Sequence, residues 1–351
     1  MAQRAKIKKT TIIDIARASG VSVSTVSRIL NNKPDVAEET RQRVLQVIEE
    51  QKFAPQIVWQ QLRSGKSRTI TLHFPQDFNP PAQDIITGAA LRCAGEGYSL
   101  NLIANSLTEN DLLTLYRSGQ ADGMILMEIL TRDWRVDLLR RHGYPFVMIG
   151  RCEDNTGLSY VDLDIGQGVT DAIRHLVELG HRRIGFVTFA PVLQQKEYGY
   201  VTWALQAYRR ACQQFDLPVL WQAVDLKSNY VHDAVSAFLG QMPEITALVT
   251  PQNAGVPGIL KAIQMCGRRV PHDFSVVGLV DDAMADFLAF PLTAIRFPSR
   301  KMGDEAARIL IARLEGKLLA AQHVLLPAEL HVRGSTGPLA LPQTSGQIGF
   351  S

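Results

Sequence analysis

The sequence predicts a small all-α head followed by a larger α/β body. Three observations carry that expectation. Residues 11–31, TIIDIARASGVSVSTVSRILN, read as two short helices around a tight turn. From Thr69 onward, short apolar strands alternate with helical segments, the pattern of parallel sheets covered on both faces. Charge divides along the same line. Residues 1–68 hold 13 Lys and Arg against 6 Asp and Glu, and the remainder holds 24 against 28. A basic head on a mildly acidic body points to a nucleic-acid partner for the head alone.

A chain of 351 residues predicts two or three domains. It has no run of 18 apolar residues, so no transmembrane helix and no membrane partner are expected. The N-terminus is basic but lacks the apolar stretch of a secretory signal. Cys93, Cys152, Cys212 and Cys266 lie far apart without a Cys-x-x-Cys pair. Buried thiols in a reducing cytoplasm are expected, with no disulfide, metal site or cofactor.

In the head, Thr11 is placed to N-cap the first helix, with Asp14 closing a capping box. Ile12, Ile15, Ala16 and Ala18 give it an apolar side, and Gly20 ends it. Ser22 is placed to cap the second helix, whose Val26 and Leu30 face the same core. Its other side carries Ser24, Thr25, Ser27 and Arg28 and no acid. Hydroxyls bond phosphate oxygens, and Arg bonds two acceptors on one guanine edge, so this face suits the major groove of DNA. Asp35 and Glu38 then form a box for a third helix, with Val44, Leu45 and Ile48 covering the first two. The tail at 1–10, with Arg4, Lys6, Lys8 and Lys9, either adds phosphate contacts or merely solubilises.

These residues resemble the helix-turn-helix of the lactose-repressor (LacI-type) family of bacterial transcription regulators. The family pattern Thr-x-x-Asp-Ile-Ala-x-x-Ala-Gly-Val-Ser-x-x-Thr-Val-Ser-Arg-x-Leu-Asn is matched from Thr11 to Asn31 with one departure, Ser19 for Ala. The resemblance implies a homodimer on a pseudo-palindromic operator. Val23, Ser24 and Arg28 then face base edges, and Thr11, Ser22, Thr25, Ser27 and Asn31 hold phosphates. Residues 53–63, FAPQIVWQQLR, resemble the family hinge Tyr-x-Pro-Asn-x-x-Ala-Arg-x-Leu. That implies a short helix in the minor groove, with Leu62 as the wedge and Gln56, Trp59 and Gln60 beside it. Gln56 stands for Asn there, and Trp59 for a small Ala. Gly65-Lys66-Ser67 matches the end of a phosphate-binding P-loop, but that motif's first glycine falls on Gln60.

In the body, strands are expected near 70–75, 99–104, 123–127, 145–150, 184–189, 246–250 and 275–279. Helices are expected near 82–96, 164–180, 198–215, 230–241 and 255–267. Asp122-Gly123-Met124-Ile125-Leu126, Leu179-Gly180-His181-Arg182-Arg183-Ile184, Val270-Pro271-x-Asp273-Phe274-Ser275-Val276-Val277-Gly278 and Pro291-Leu292-Thr293-Ala294-Ile295-Arg296 resemble the family's effector domain. That domain has the two-lobed fold of type I periplasmic binding proteins. The implied organisation is a head at 1–52, a hinge at 53–68 and a two-lobed effector-binding and dimerisation domain at 69–334. Lobe one takes 69–163 and 293–323; lobe two takes 164–292 and 324–334. Residues 335–351 are rich in Gly, Pro, Ser and Gln and are expected to be loose. They lack the leucine heptads of a tetramerising helix, which leaves a dimer.

Ligands in such sheets bind at the carboxyl ends of the strands. The positions that hold sugar hydroxyls in family members are largely replaced here. Ala204 stands for an Arg, Gln252-Asn253 for Asn-Asp, Val280 for the first Asp with Asp281 remaining, and Phe297 for a Gln. Gly150, followed by Arg151, stands for an Asp. Arg151, Gln252, Asn253 and Asp281 remain as polar candidates, with Phe74, Phe189, Trp203, Tyr230 and Phe297 as candidate walls. The leading expectation is a DNA-binding regulator, a repressor, tuned by a small-molecule effector such as a sugar or related metabolite. The alternatives are the same fold with no small-molecule effector, controlled by a protein partner or constitutive, and an enzyme fused to a DNA-binding head. The enzyme has no support from motifs: His-Glu-x-x-His, Gly-x-Ser-x-Gly and a complete Gly-x-Gly-x-x-Gly are all missing.

Overall fold

The computed structural model describes residues 10–30, 36–51, 67–74, 80–190, 195–225, 231–288 and 290–339. The chain divides into two compact units, residues 1–67 and 68–351. In the first, Thr11 and Asp14 make a reciprocal capping box that starts α1 (Ile12–Ser19), and Gly20 ends it in the left-handed conformation at φ 68°. A residue with a Cβ is strained at that angle. Helix α2 (Val23–Leu30) follows after the three residues Gly20, Val21 and Ser22, and α3 (Glu38–Glu50) lies across both. The core between them is Ile12, Ile15, Ala16, Val26, Ile29 and Val44, with Leu30, Val47 and Ile48 half-buried beside it.

Three details differ from the sequence reading. Ala18 is exposed, and Ser19 is buried in its stead. A hydroxyl is tolerated there because Ser19 Oγ donates to the Ile15 carbonyl at 2.6 Å. Leu45 is exposed, and Val47 packs in its place. Helix α3 begins after Ala37, with no side-chain cap; the proposed cap Asp35 lies outside the described residues.

Among the described residues the second unit holds two six-stranded sheets. The first comprises β1 (Thr69–His73), β2 (Ser99–Ile103), β3 (Gly123–Leu126), β4 (Phe146–Ile149), β5 (Tyr160–Leu163) and β11 (His323–Leu326), in the order β11-β5-β4-β3-β1-β2. The second comprises β6 (Ile184–Phe189), β7 (Leu220–Val224), β8 (Ala247–Thr250), β9 (Ser275–Val280), β10 (Thr293–Arg296) and β12 (Leu330–His331), in the order β12-β10-β9-β8-β6-β7. All neighbours are parallel except β12, which runs against β10. Helices cover both, as parallel pairing requires.

This pairing corrects the lobe boundaries. Strand β10 belongs to the second lobe, where Thr293 pairs with Val277, and β11 belongs to the first, where His323 pairs with Tyr160. The chain thus crosses between lobes after Leu163, after Arg296 and after Leu326. The start of the C-terminal tail is also docked, not loose. Ser335 is fully buried: its Oγ donates to the Val276 carbonyl at 2.6 Å and accepts from Thr293 N at 2.7 Å. Leu339 N donates to the Leu179 carbonyl at 2.9 Å. Residues 340–351 lie outside the described residues.

The first lobe is closed by two helices in tight contact, α4 (Pro80–Gly95) and α12 (Ser299–Leu314). A Cβ on Gly303 would sit 1.9 Å from the Ile85 carbonyl oxygen, and one on Gly88 2.0 Å from that of Arg300. The glycines thus set the distance between these helices. Among the described residues no helix is long and apolar enough to cross a membrane. Cys93, Cys152 and Cys212 are buried free thiols, as expected, but Cys266 is exposed.

Candidate nucleic-acid interface and effector cleft

The outward face of α2 is fixed by its own cap. Ser22 Oγ accepts from Thr25 N at 3.1 Å and lies 2.7 Å from Ser24 Oγ and 2.9 Å from Thr25 Oγ1. Val26 and Ile29 bury the other side, so Val23, Ser24 and Arg28 stand exposed together. No acid lies in the first turn, and Asp14, the one carboxylate between Thr10 and Leu30, is engaged by the Thr11 backbone N–H and hydroxyl at 2.9 and 2.6 Å. The face thus offers hydroxyls, a short apolar side chain and a guanidinium on a helix that carries no acid of its own. Asn31 and the hinge residues Gln56, Trp59, Gln60 and Leu62 lie outside the described residues.

The candidate effector residues fall in three places. Phe74 does not line a cleft. It is fully buried in the first lobe's core with Ile70, Leu72 and Val147, because it continues the apolar strand β1 inward. Asp281 and Phe297 border a groove of about 590 Å³ at the crossover, together with Asp84, Gly88, Leu91 and Arg296. Asp281 is partly committed there, since it caps α11 (Asp282–Phe287) by accepting from Met284 N at 2.7 Å. Arg151, Phe189 and Gln252 lie at the carboxyl ends of strands from both lobes, Trp203 lies near the start of the helix Gly199–Gln214, and Asn253 starts the short 3-10 turn after Gln252. Tyr230 lies outside the described residues.

In this last group Arg151 pairs with Asp162 at 3.4 Å and lies over the Trp203 ring at 5.4 Å from its centroid. Burial pushes the Asp162 carboxyl up to about 6 against the pull of Arg151. Gln252 is buried and donates through Nε2 to the Thr188 carbonyl, but its Oε1, Thr188 Oγ1 and the Trp203 indole nitrogen have no partner. Buried polar atoms of this kind carry a desolvation penalty that a ligand or ordered water removes.

Sequence reasoning missed Glu128 and the cluster that positions it. Arg135 is buried and held by Asp133 through Nε at 3.0 Å and Nη2 at 2.6 Å. It donates to His73 Nδ1 at 3.1 Å and to the Met127 and Glu128 carbonyls at 3.1 and 2.8 Å. His73 Nε2 then donates to the Asn105 carbonyl at 3.0 Å. Desolvation, helped by the neighbouring Arg135 charge, lowers His73 to about 4, so it is neutral. Glu128 takes the left-handed conformation at φ 55°, and its carboxylate accepts from the Tyr200 hydroxyl. Desolvation raises it to about 7. The available signal was a carboxylate at the end of an apolar run, Met124-Ile125-Leu126-Met127-Glu128, and another inside one, Tyr160-Val161-Asp162-Leu163.

Residues 11–56 match the family described as bacterial regulatory proteins, lacI family, and residues 173–336 match the periplasmic binding protein-like domain. The HTH-type transcriptional regulator reg1 of Streptomyces lividans is 32% identical over 344 residues, covering 93% of this chain and 96% of its own length. The chain belongs to the lacI family. It is therefore a helix-turn-helix transcription regulator, and the curated relatives it resembles are regulators, not enzymes. A lac repressor dimer bound to operator and the anti-inducer ONPF superposes with a TM-score of 0.83 over 95% of this chain and 100% of its own, at 23% identity, which shows the shared fold. The regulator CelR in complex with cellobiose is 27% identical with a TM-score of 0.67, covering 93% and 99%. This lacI-family chain thus has the head and the two-lobed body of its relatives along nearly its whole length.

Proposed function

We propose that this regulator binds a pseudo-palindromic operator as a homodimer, with α2 of each copy in the major groove. Val23, Ser24 and Arg28 read base edges, and Thr11, Ser22, Thr25, Ser27 and Asn31 hold phosphates. The observation that carries this is the exposed face of α2, a helix with no acid of its own, set on a capped helical pair. The hinge at Gln56, Trp59, Gln60 and Leu62 enters the minor groove between half-sites, with Trp59 adding a bulkier wedge than the usual alanine. A small polar metabolite is the effector, in keeping with the cellobiose carried by CelR. It is held where the lobes face each other, by Arg151, Trp203 and Gln252 together with Asp162 and Glu128. The two carboxylates supply acceptors that the replaced sugar-binding positions no longer give.

Selection of bound duplexes from a random pool tests the DNA reading. Two inverted half-sites about one helical turn apart are expected, each with a guanine at a fixed position. Enrichment of a single unpaired site, or of nothing, contradicts it.

A further inference from the structure

The two lobes also touch directly through their main chains, beside the residues proposed to hold the effector. Leu130, just past the end of β3, pairs as an antiparallel bridge with Tyr198, at the start of α8 (Gly199–Gln214) in the second lobe. Around that pair, Thr131 N donates to the Glu197 carbonyl at 2.8 Å and Gly199 N donates to the Ile129 carbonyl at 2.9 Å. Thr131 Oγ1 also donates to Glu197 Oε2 at 3.0 Å. These are the bonds of a short two-stranded ladder, with one strand from each lobe.

Both strands are shaped for it. Glu128, just before the ladder, and Glu197, within it, have φ 55°, a conformation that non-glycine residues hold only where their surroundings enforce it. In the first lobe the enforcement is visible: Arg135 grips the carbonyls of Met127 and Glu128, and Asp133 Oδ2 accepts from Leu130 N at 3.2 Å. In the second lobe, Gly199 leaves room for close approach. A Cβ there would lie 2.9 Å from the carbonyl oxygen of Arg151, which belongs to the first lobe. The Tyr200 hydroxyl on Glu128 and the Arg151 guanidinium over Trp203 add two side-chain contacts across the same junction.

We infer that this ladder is a latch that holds the lobes closed without any ligand, so that the switching event of the body is the parting of the ladder. Closure in this chain is built from main-chain hydrogen bonds anchored on the Arg135–Asp133 pair. It does not wait for an effector to bridge the lobes. The inference rests on the body's geometry and is independent of the DNA-binding reading.

The test uses the full-length, ligand-free protein, spin-labelled at the exposed Cys266 in the second lobe and at Gln120→Cys in the first, diluted with unlabelled chain. One narrow interlobe distance distribution is expected. Gly199→Ala drives a methyl group into the Arg151 carbonyl and is expected to shift the distribution to longer distances. Thr131→Val removes one ladder side-chain bond with little change in shape and is expected to broaden it, and it decides the matter if Gly199→Ala does not fold. A broad ligand-free distribution that narrows only on adding cellobiose overturns the latch. So does an unchanged distribution in folded Gly199→Ala and Thr131→Val. Operator affinity measured on the same samples separates this outcome from a failure of the DNA reading: a behaving latch with no DNA binding sinks the latter alone.

Discussion

At the scale of single residues, what matters is which polar group each side chain has already spent. Ser22 gives its oxygen to the helix cap, while Arg28 is exposed on a helix that carries no acid of its own. His73 is the clearest buried case. Arg135 donates to its Nδ1, so its proton sits on Nε2, and a second proton would put two cations together in an apolar pocket. The unfolded chain takes that proton near 6.5 and the folded chain only near 4. His73 therefore contributes stability that is present above 6.5 and is lost as pH falls through about 4. Glu128 and Asp162 run the other way. Their raised values favour the folded state when protonated, and that contribution fades as pH rises through about 7 and about 6. An NMR titration separates them: the His73 ring resonances should keep their neutral positions down to pH ~5. A midpoint near 6.5 would show that His73 is not buried against Arg135 in solution.

At the scale of elements, packing distances explain why certain glycines are where they are. Helices α4 and α12 meet backbone to backbone at Gly88 and Gly303. Gly303→Ala should therefore lower stability by about 3 kcal/mol or more, the upper end of overpacking costs, read as a lower urea midpoint at unchanged slope. Gly240→Ala, near the end of α9 (Val231–Gln241) with nothing within 4 Å of its Cβ, should cause no loss. Equal losses in the two variants would mean the helix contact is looser than described. Elements were largely legible from sequence because caps and periodicity are local: the Thr11–Asp14 box and Gly20 sit as read. Strand partners were not legible. The segment 293–296 shows that it is apolar and short, but nothing local says that it pairs with β9, and the swap of β10 and β11 between lobes followed from that. Ser19 and Ala18 exchanged faces for a similar reason, since a serine that bonds its own helix behaves in the core like a small apolar residue.

At the scale of the whole molecule, charge and architecture agree on a division of labour. The basic residues concentrate in the head, and the body carries two lobes whose facing edges hold Glu128, Asp162, Arg151 and Gln252. The sequence showed this cleft only through what was missing from it, because the substituted positions were read against a family pattern. The carboxylates proposed to take their place, Glu128 and Asp162, come from other strands. That β3 and β4 bring Glu128 and Arg151 to the edge that faces Tyr198 and Trp203 is a property of the sheet order, not of any local motif. Under the proposed function, effector action on the operator passes through the relative position of the lobes, with couplings of ~1–3 kcal/mol typical of such switches.

The most direct test of the central claim is an equilibrium titration of the full-length protein on its selected operator and on a scrambled duplex of equal length, at one fixed salt concentration. The operator should bind at least about 10³-fold more tightly than the scramble. Arg28→Ala should lose roughly 1–3 kcal/mol on the operator while leaving the scramble far less affected. Equal affinity for the two duplexes, or equal losses on both in the variant, would contradict a base-reading role for the exposed face of α2.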